Sequence, residues 1–313
     1  MRFIVRVARC IALASVTAVT AGAQKPTDAR DTLVVSTTWL AQHLKDPNLV
    51  VLFLGDDNDY NKEHIPGSYN VQMEEFAVDD ESPTGLMLEV LPADRLRDSL
   101  GALGITDRSR IVVYAGKGFL PWATRFILTL DHAGLGARTS FLDGGLPAWV
   151  KAGGPVTAVV PPKRKSELAS LHVKPVIVDA NFVKARIGKP GVSIVDGRAP
   201  AFYTGAATGK GHAGPQRSGH IASAKNVPFD TPYTDDGFLR PTAELRALFD
   251  KAGVAPGDTV IGYCHIGQQA TAMLFAARVL GHPVRLYDGS FEDWSRRPAA
   301  EYVVEASRGE AKP

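Results

Sequence analysis

Residues 262–273 read GYCHIGQQATAM and hold Cys264, one of only two cysteines in the chain. The thiol follows the β-rich run TVIGY and precedes a helical pattern, so it sits where a strand turns into a helix. In parallel α/β sheets, ligands and active sites gather at that end of the strands. The backbone amides of residues 265–269 can turn inward there, and the dipole of the following helix adds a partial positive charge. Both favour thiolate over thiol, and the thiolate is the nucleophile. A free cysteine is otherwise a small buried hydrophobe, so its surroundings must decide. The sixth residue after Cys264 is Ala270, which removes the arginine that a Cys-x5-Arg phosphate cradle needs. There is no Cys-x-x-Cys pair for dithiol exchange. A cysteine–histidine dyad would need a base: His265 adjoins the thiol, while His220 and His282 are not placed by sequence alone. The remaining histidines lack metal-ligand spacing.

The elements that must present Cys264 are written twice. GITDRSRIVVYAGKG (104–118) matches GVAPGDTVIGYCHIG (253–267), FLDGGLPAWVKAG (141–153) matches LYDGSFEDWSRRP (286–298), and HIPGSYNV (64–71) matches HIASAKNV (220–227). A change of register between the copies places an insertion in the Gly-rich stretch 204–219, which reads as a loop. Two copies are too few for a solenoid and make two like-folded domains. Within each copy, short apolar runs alternate with helical patterns. Asp179 is an N-cap for a segment running to Gly188, Pro241 and Thr242 open a helix, and QQATAMLFAARVLG is an apolar helix stopped at Gly281 with Pro283 beyond. This alternation predicts α/β domains, each a mostly parallel sheet flanked by helices. The connector 154–174 carries Pro161-Pro162 and suits an extended link.

A chain of 313 residues suits two domains, and 45% hydrophobic with 22% charged residues is ordinary for a globular protein. A formal charge of +2 argues against an extended nucleic-acid surface, and the basic runs Lys163-Arg164-Lys165 and Arg296-Arg297 are too short to alter that. The N-terminus differs. Arg2, Arg6 and Arg9 precede an apolar stretch from Cys10 to Val19, and Ala21-Gly22-Ala23 has the small-x-small form of a signal-peptidase site. The apolar run is too short to span a bilayer comfortably. Residues 1–23 are therefore expected to be a cleaved signal peptide. The mature protein would be periplasmic or secreted, with no stable membrane span. Cleavage would take the formal charge from +2 to −1 and leave Cys264 as the lone thiol.

The order, duplication and spacing of these motifs resemble those of the tandem-domain rhodaneses, a family of thiosulfate and 3-mercaptopyruvate sulfurtransferases. YCHIGQQA resembles the family's active-site loop, HIPGSYNV and HIASAKNV its Gly-His-Ile-Pro-Gly-Ala segment, and LDGGLPAW and YDGSFEDW its closing signature. In the first copy Glu63 replaces the leading glycine of that segment. The resemblance implies an inactive rhodanese-like domain over 32–153 and a catalytic one over 175–300. Ala115 stands in the first copy where Cys264 stands in the second, so the first domain is expected to have a structural, cleft-forming role. The resemblance also implies sulfur transfer through a Cys264 persulfide, with no cofactor and no metal. A small anionic donor such as thiosulfate gives up the sulfur, and a thiophilic acceptor (cyanide, a thiol or a protein) receives it. His265, Ile266, Gly267, Gln268 and Gln269 would form the donor-binding loop, and Arg198 would face the cleft and bind the donor's anionic end, unless it pairs with Asp196. Phe202 stands where many thiosulfate-specific relatives carry a second arginine, which keeps 3-mercaptopyruvate open as donor. A non-catalytic persulfide carrier is the reading from a different class. Tyr263, Asp288 and Trp294 match signature positions and are expected to be core or turn residues, and His220 a turn-stabilising one.

Overall fold

The computed structural model describes residues 29–306 apart from 83, 163–165, 167, 212 and 213. The signal-peptide reading of residues 1–23, Cys10, and the basic run at 163–165 lie outside the described residues.

Two five-stranded parallel sheets form the molecule. The first runs, in spatial order, Val34–Val35, Thr139–Leu142, Arg110–Ala115, Leu49–Leu54 and Tyr69–Asn70. The second runs Lys225–Asn226, Val192–Asp196, Thr259–Tyr263, Val284–Tyr287 and Ile177–Val178. Read from opposite edges, the two orders are identical, so the repeat seen in the sequence is a repeat of topology. Parallel strands covered on both faces read as continuous apolar runs rather than alternating ones. Leu49–Leu54 is buried at every position, and Thr259–Tyr263 at all but the first. The strands that end in Ala115 and Tyr263 are the central ones of their sheets.

A second repeat lies in the polar interior. Tyr114 Oη accepts the Ile65 N–H at 3.1 Å, and Tyr263 Oη accepts the Ile221 N–H at 3.0 Å. His64 stacks on Tyr60 and His220 on Tyr203, each pair 3.9 Å apart, and each Nδ1 meets the carbonyl of its stacking partner. His220 is thus the turn-stabilising residue expected, and Tyr263 and Trp294 are buried in the core.

The domains meet through the helices that follow the two central strands, Leu120–His132 and Ala270–Val279. Ala270, Ala272, Ala276 and Ala277 are buried and small, which lets the helices approach closely. Thr124 and Thr271 share a hydrogen bond across the contact at 2.9 Å, and Phe141 meets Phe275 edge to face at 5.8 Å. One apolar cluster runs from Leu33 through both domains to Leu286.

The insertion 204–219 is more than a loop. Lys210–Gly211 and Gly214–Pro215 pair as an antiparallel ribbon. The Gln216 N–H continues the pairing by donating to the Gly209 carbonyl at 2.9 Å. Glycine density hid these strands from a reading based on β propensity. Among the described residues, no helix is long and apolar enough to cross a membrane.

Candidate active site

Cys264 is 1% exposed and immediately follows Tyr263, the last residue of the central strand. Its own N–H donates to Ser290 Oγ at 3.2 Å, and that hydroxyl donates to the Tyr287 carbonyl at 2.9 Å. Ser290 has φ +51°, so the tight turn after Tyr287 aims this hydroxyl at the cysteine.

The carbonyls of the loop, that of Ile266 excepted, are tied to the protein. Cys264 O accepts the Phe291 N–H and His265 O accepts the Glu292 N–H, both at 3.0 Å. Gly267 O accepts Arg125 Nη1 at 3.2 Å, Gln268 O accepts the Thr271 hydroxyl at 2.6 Å, and Gln269 O accepts the Ala272 N–H at 3.1 Å. In a planar trans peptide the next residue's N–H points opposite to the carbonyl. Tying the carbonyls therefore orients the N–H groups of the loop. The N–H groups of His265, Ile266, Gly267, Gln268 and Gln269 have no acceptor among the described residues. Half-buried amides of this kind are costly to leave unpaired, and a run of them makes a nest for an anion. In the first domain the row is interrupted twice: Gly116, which matches His265, donates its N–H to the Leu54 carbonyl at 2.8 Å, and Phe119, which matches Gln268, donates its N–H to the Gly116 carbonyl at 3.1 Å.

Beside the loop, Asp196 ends its strand fully buried and in register with Tyr263. Arg198 Nε and Nη2 bind its carboxylate, the latter at 2.6 Å, and Nη2 also donates to the Gly219 carbonyl at 2.7 Å. The Arg198 guanidinium lies 3.8 Å over the Phe291 ring. Burial pushes its pKa down, but the bonds and charge of Asp196 outweigh this and hold it above its ordinary value. Of the two partners the sequence left open for Arg198, Asp196 is the one it binds, and the pair makes it the countercharge of a buried carboxylate. Nη1 alone has no partner among the described residues.

His265 packs edge to face on Phe202 at 4.7 Å, and its Nδ1 lies 3.3 Å from Gln216 Oε1 of the insertion. Burial first, and the Arg198 charge second, push its pKa down to about 4. At neutral pH it is an uncharged hydrogen-bonding ring, and Phe202 is its packing partner. Ile266, Gln268 and Gln269 are half-buried and Gly267 is buried.

A model of the Rhodanese-like domain matches residues 36–152 and again 179–297. The chain belongs to the tandem-domain rhodanese family. This rhodanese is 31% identical to a thiosulfate sulfurtransferase of Rattus norvegicus, over 89% of this chain and 97% of that one. It is 29% identical to the sulfur carrier protein TtuD of Thermus thermophilus, over 85% of this chain and 94% of that one. Among solved structures, YnjE superposes with a TM-score of 0.77 at 23% identity, covering 89% of this chain and 69% of that one. An anaerobic ergothioneine biosynthesis enzyme from Chlorobium limicola superposes with a TM-score of 0.75 at 20% identity, covering 92% and 73%. At those identities the two structures speak to the fold.

In this rhodanese the loop residues singled out from sequence lie between the central strand and the helix after it, and three residues that support the loop, Ser290, Gln216 and Arg125, were missed. Ser290 and Gln216 are polar residues whose contacts depend on how distant turns fold. Asp288, expected to be a core or turn residue, is buried, and its carboxylate is bound at 2.5 Å by Arg125 of the first domain. Arg125 left one signal in the sequence, a lone charge in the middle of the apolar helix Leu120–His132.

Proposed function

We propose that the protein is a sulfurtransferase that carries sulfane sulfur on Cys264 as a persulfide, with thiosulfate as donor. The observation that carries the reading is the row of N–H groups without an acceptor among the described residues, beginning one residue after the free cysteine at the end of the central strand. Such a row stabilises negative charge on sulfur in the way oxyanion donors stabilise it on oxygen. The thiolate of Cys264 attacks the outer sulfur of thiosulfate; the S–S bond of the donor breaks and sulfite leaves with its electron pair. The new Cys264 persulfide is an anion that accepts hydrogen bonds from the loop. A thiophile then attacks the terminal sulfur: with cyanide, thiocyanate forms and the thiolate returns. Arg198 Nη1 can meet the donor's oxygens, while neutral His265 adds no second positive charge.

Thiosulfate treatment should add one sulfur to the wild type, seen by mass spectrometry, and none to Cys264→Ser. Sulfur transfer surviving in Cys264→Ser would refute the mechanism. The ratio of kcat/KM for thiosulfate and 3-mercaptopyruvate decides the donor. The likeness to a protein named sulfur carrier favours a second reading, in which Cys264 hands its sulfur to a protein partner. A carrier loads once and fails to turn over with small donor and acceptor, whereas an enzyme cycles.

A further inference from the structure

We propose that Arg125, supplied by the domain without a thiol, is a positioning residue for the Cys264 loop: by holding the Gly267 carbonyl it keeps the Gln268 N–H in the anion-binding row. The inference rests on Cys264 carrying the transferred sulfur. Arg125 is 1% exposed and spans three partners. Nη1 reaches Gly267 O at 3.2 Å and Asp288 Oδ1 at 2.5 Å, and Nη2 binds the Leu88 carbonyl. Nε is buried without an acceptor, so the guanidinium is placed for these partners at the expense of its own saturation.

A buried ion pair with Asp288 would account for the charge alone. The bond to Gly267 O is a separate feature with a separate consequence. Gly267 has φ +80°, and a Cβ there would lie 2.6 Å from the Asp288 carbonyl oxygen. Only glycine lets the loop backbone come this close to the Arg125–Asp288 pair, and glycine is also the residue whose adjoining peptides turn most freely. A flip of the 267–268 peptide would replace the Gln268 N–H with a carbonyl oxygen in the row, repelling a thiolate or persulfide. The second domain ties the Cys264 and His265 carbonyls with its own amides, but the tie on Gly267 crosses the domain boundary. Asp288 adds a second path: Val90 N–H donates to its Oδ2 at 3.0 Å, and Ser290, two residues on, holds the Cys264 N–H. The thiol-less copy thereby acts on the reaction through the loop peptide and through the support of the cysteine.

Two variants of the full chain test this. Arg125→Lys keeps a buried positive charge opposite Asp288, but one ammonium cannot span Gly267 O, Asp288 and the Leu88 carbonyl. Arg125→Gln removes the charge as well. The Cys264 thiolate is titrated by its ultraviolet absorbance, as the difference from Cys264→Ser, and kcat and KM for thiosulfate are measured in parallel. Loss of one anion-stabilising donor should lower kcat roughly tenfold in Arg125→Lys and about a hundredfold in Arg125→Gln, with KM within about twofold because donor contacts remain. The thiolate midpoint should move up in both variants. Arg125→Lys that unfolds cooperatively, with the midpoint and kcat of the wild type, would overturn the proposal even if Arg125→Gln fails to fold. The titration needs no sulfur donor, so a shifted midpoint in a protein that transfers no sulfur would sink the sulfurtransferase reading and leave the positioning role standing.

Discussion

A carboxylate with no exposure, such as Asp196, demands a countercharge, and Arg198 is the residue that meets the demand. Removing one member of a buried ion pair leaves the other uncompensated, at a cost of about 3–5 kcal/mol. Arg198→Ala is therefore expected to lower the melting temperature strongly, and to raise the KM for thiosulfate less than loss of a dedicated donor-binding arginine would. Unchanged melting with a large rise in KM would reverse that order of roles. His265 gives a pH signature. Its folded pKa, about 4, lies below the ordinary 6.5. The folded state thus binds its proton less tightly than the unfolded state. Its contribution to stability is complete above pH 6.5 and is lost as pH falls through about 4. His265→Asn should flatten the acid limb of the stability profile by about 2–3 kcal/mol, measured as urea midpoints between neutral pH and pH 4. Which partner each of these side chains takes was not legible from its neighbours in sequence, because Arg198 could turn back on Asp196 or outward with the same local backbone.

At the level of elements, TVIGY is the strand Thr259–Tyr263 as read, and Asp179 caps its helix by accepting the Phe182 N–H at 2.8 Å, but that helix is Ala180–Lys184 and passes into a turn before Gly188. The short pairing of Ala77–Val78 with Glu89–Val90 was not legible, since two-residue strands carry no period. It brings Glu89 beside Asp288 with Oε1 buried and unpaired. Burial and then the charge of Asp288 push the Glu89 pKa up from 4.5 to about 7, against the opposing pull of Arg125. The folded state here holds the proton more tightly, so the stabilisation is full below about pH 4.5 and is lost as pH rises through about 7. Glu89→Gln should stabilise the protein at pH 8 by about 2 kcal/mol after allowance for solvent screening, and change little at pH 5. Equal effects at both pH values would show that Glu89 is ionised throughout.

Across the whole molecule, the two sheets share one apolar core through the paired helices Leu120–His132 and Ala270–Val279. A shared core couples the folding of both halves. Phe275 is 4% exposed and meets Phe141 across the boundary. Phe275→Ala is expected to cost about 3–5 kcal/mol, and calorimetry of the wild type should show one transition. Two resolved transitions, with Phe275→Ala moving only one of them, would mean that the halves unfold independently.

The sequence by itself determined the duplicated α/β architecture, the copy that holds the thiol, and the loop that surrounds it. These depend on local patterns: apolar runs of strand length, helix caps and stops, and a cysteine at a strand's end. The clamp that holds the loop was decided only by the tertiary structure. Arg125 is 142 residues from Gly267 and 163 from Asp288 in the chain, and Gln216 is 49 residues from His265. Such partners are chosen by how the two sheets dock and where the inserted ribbon lands. Local pattern fixes where a strand ends, but a buried charge finds its partner in whatever surface the rest of the chain brings to it.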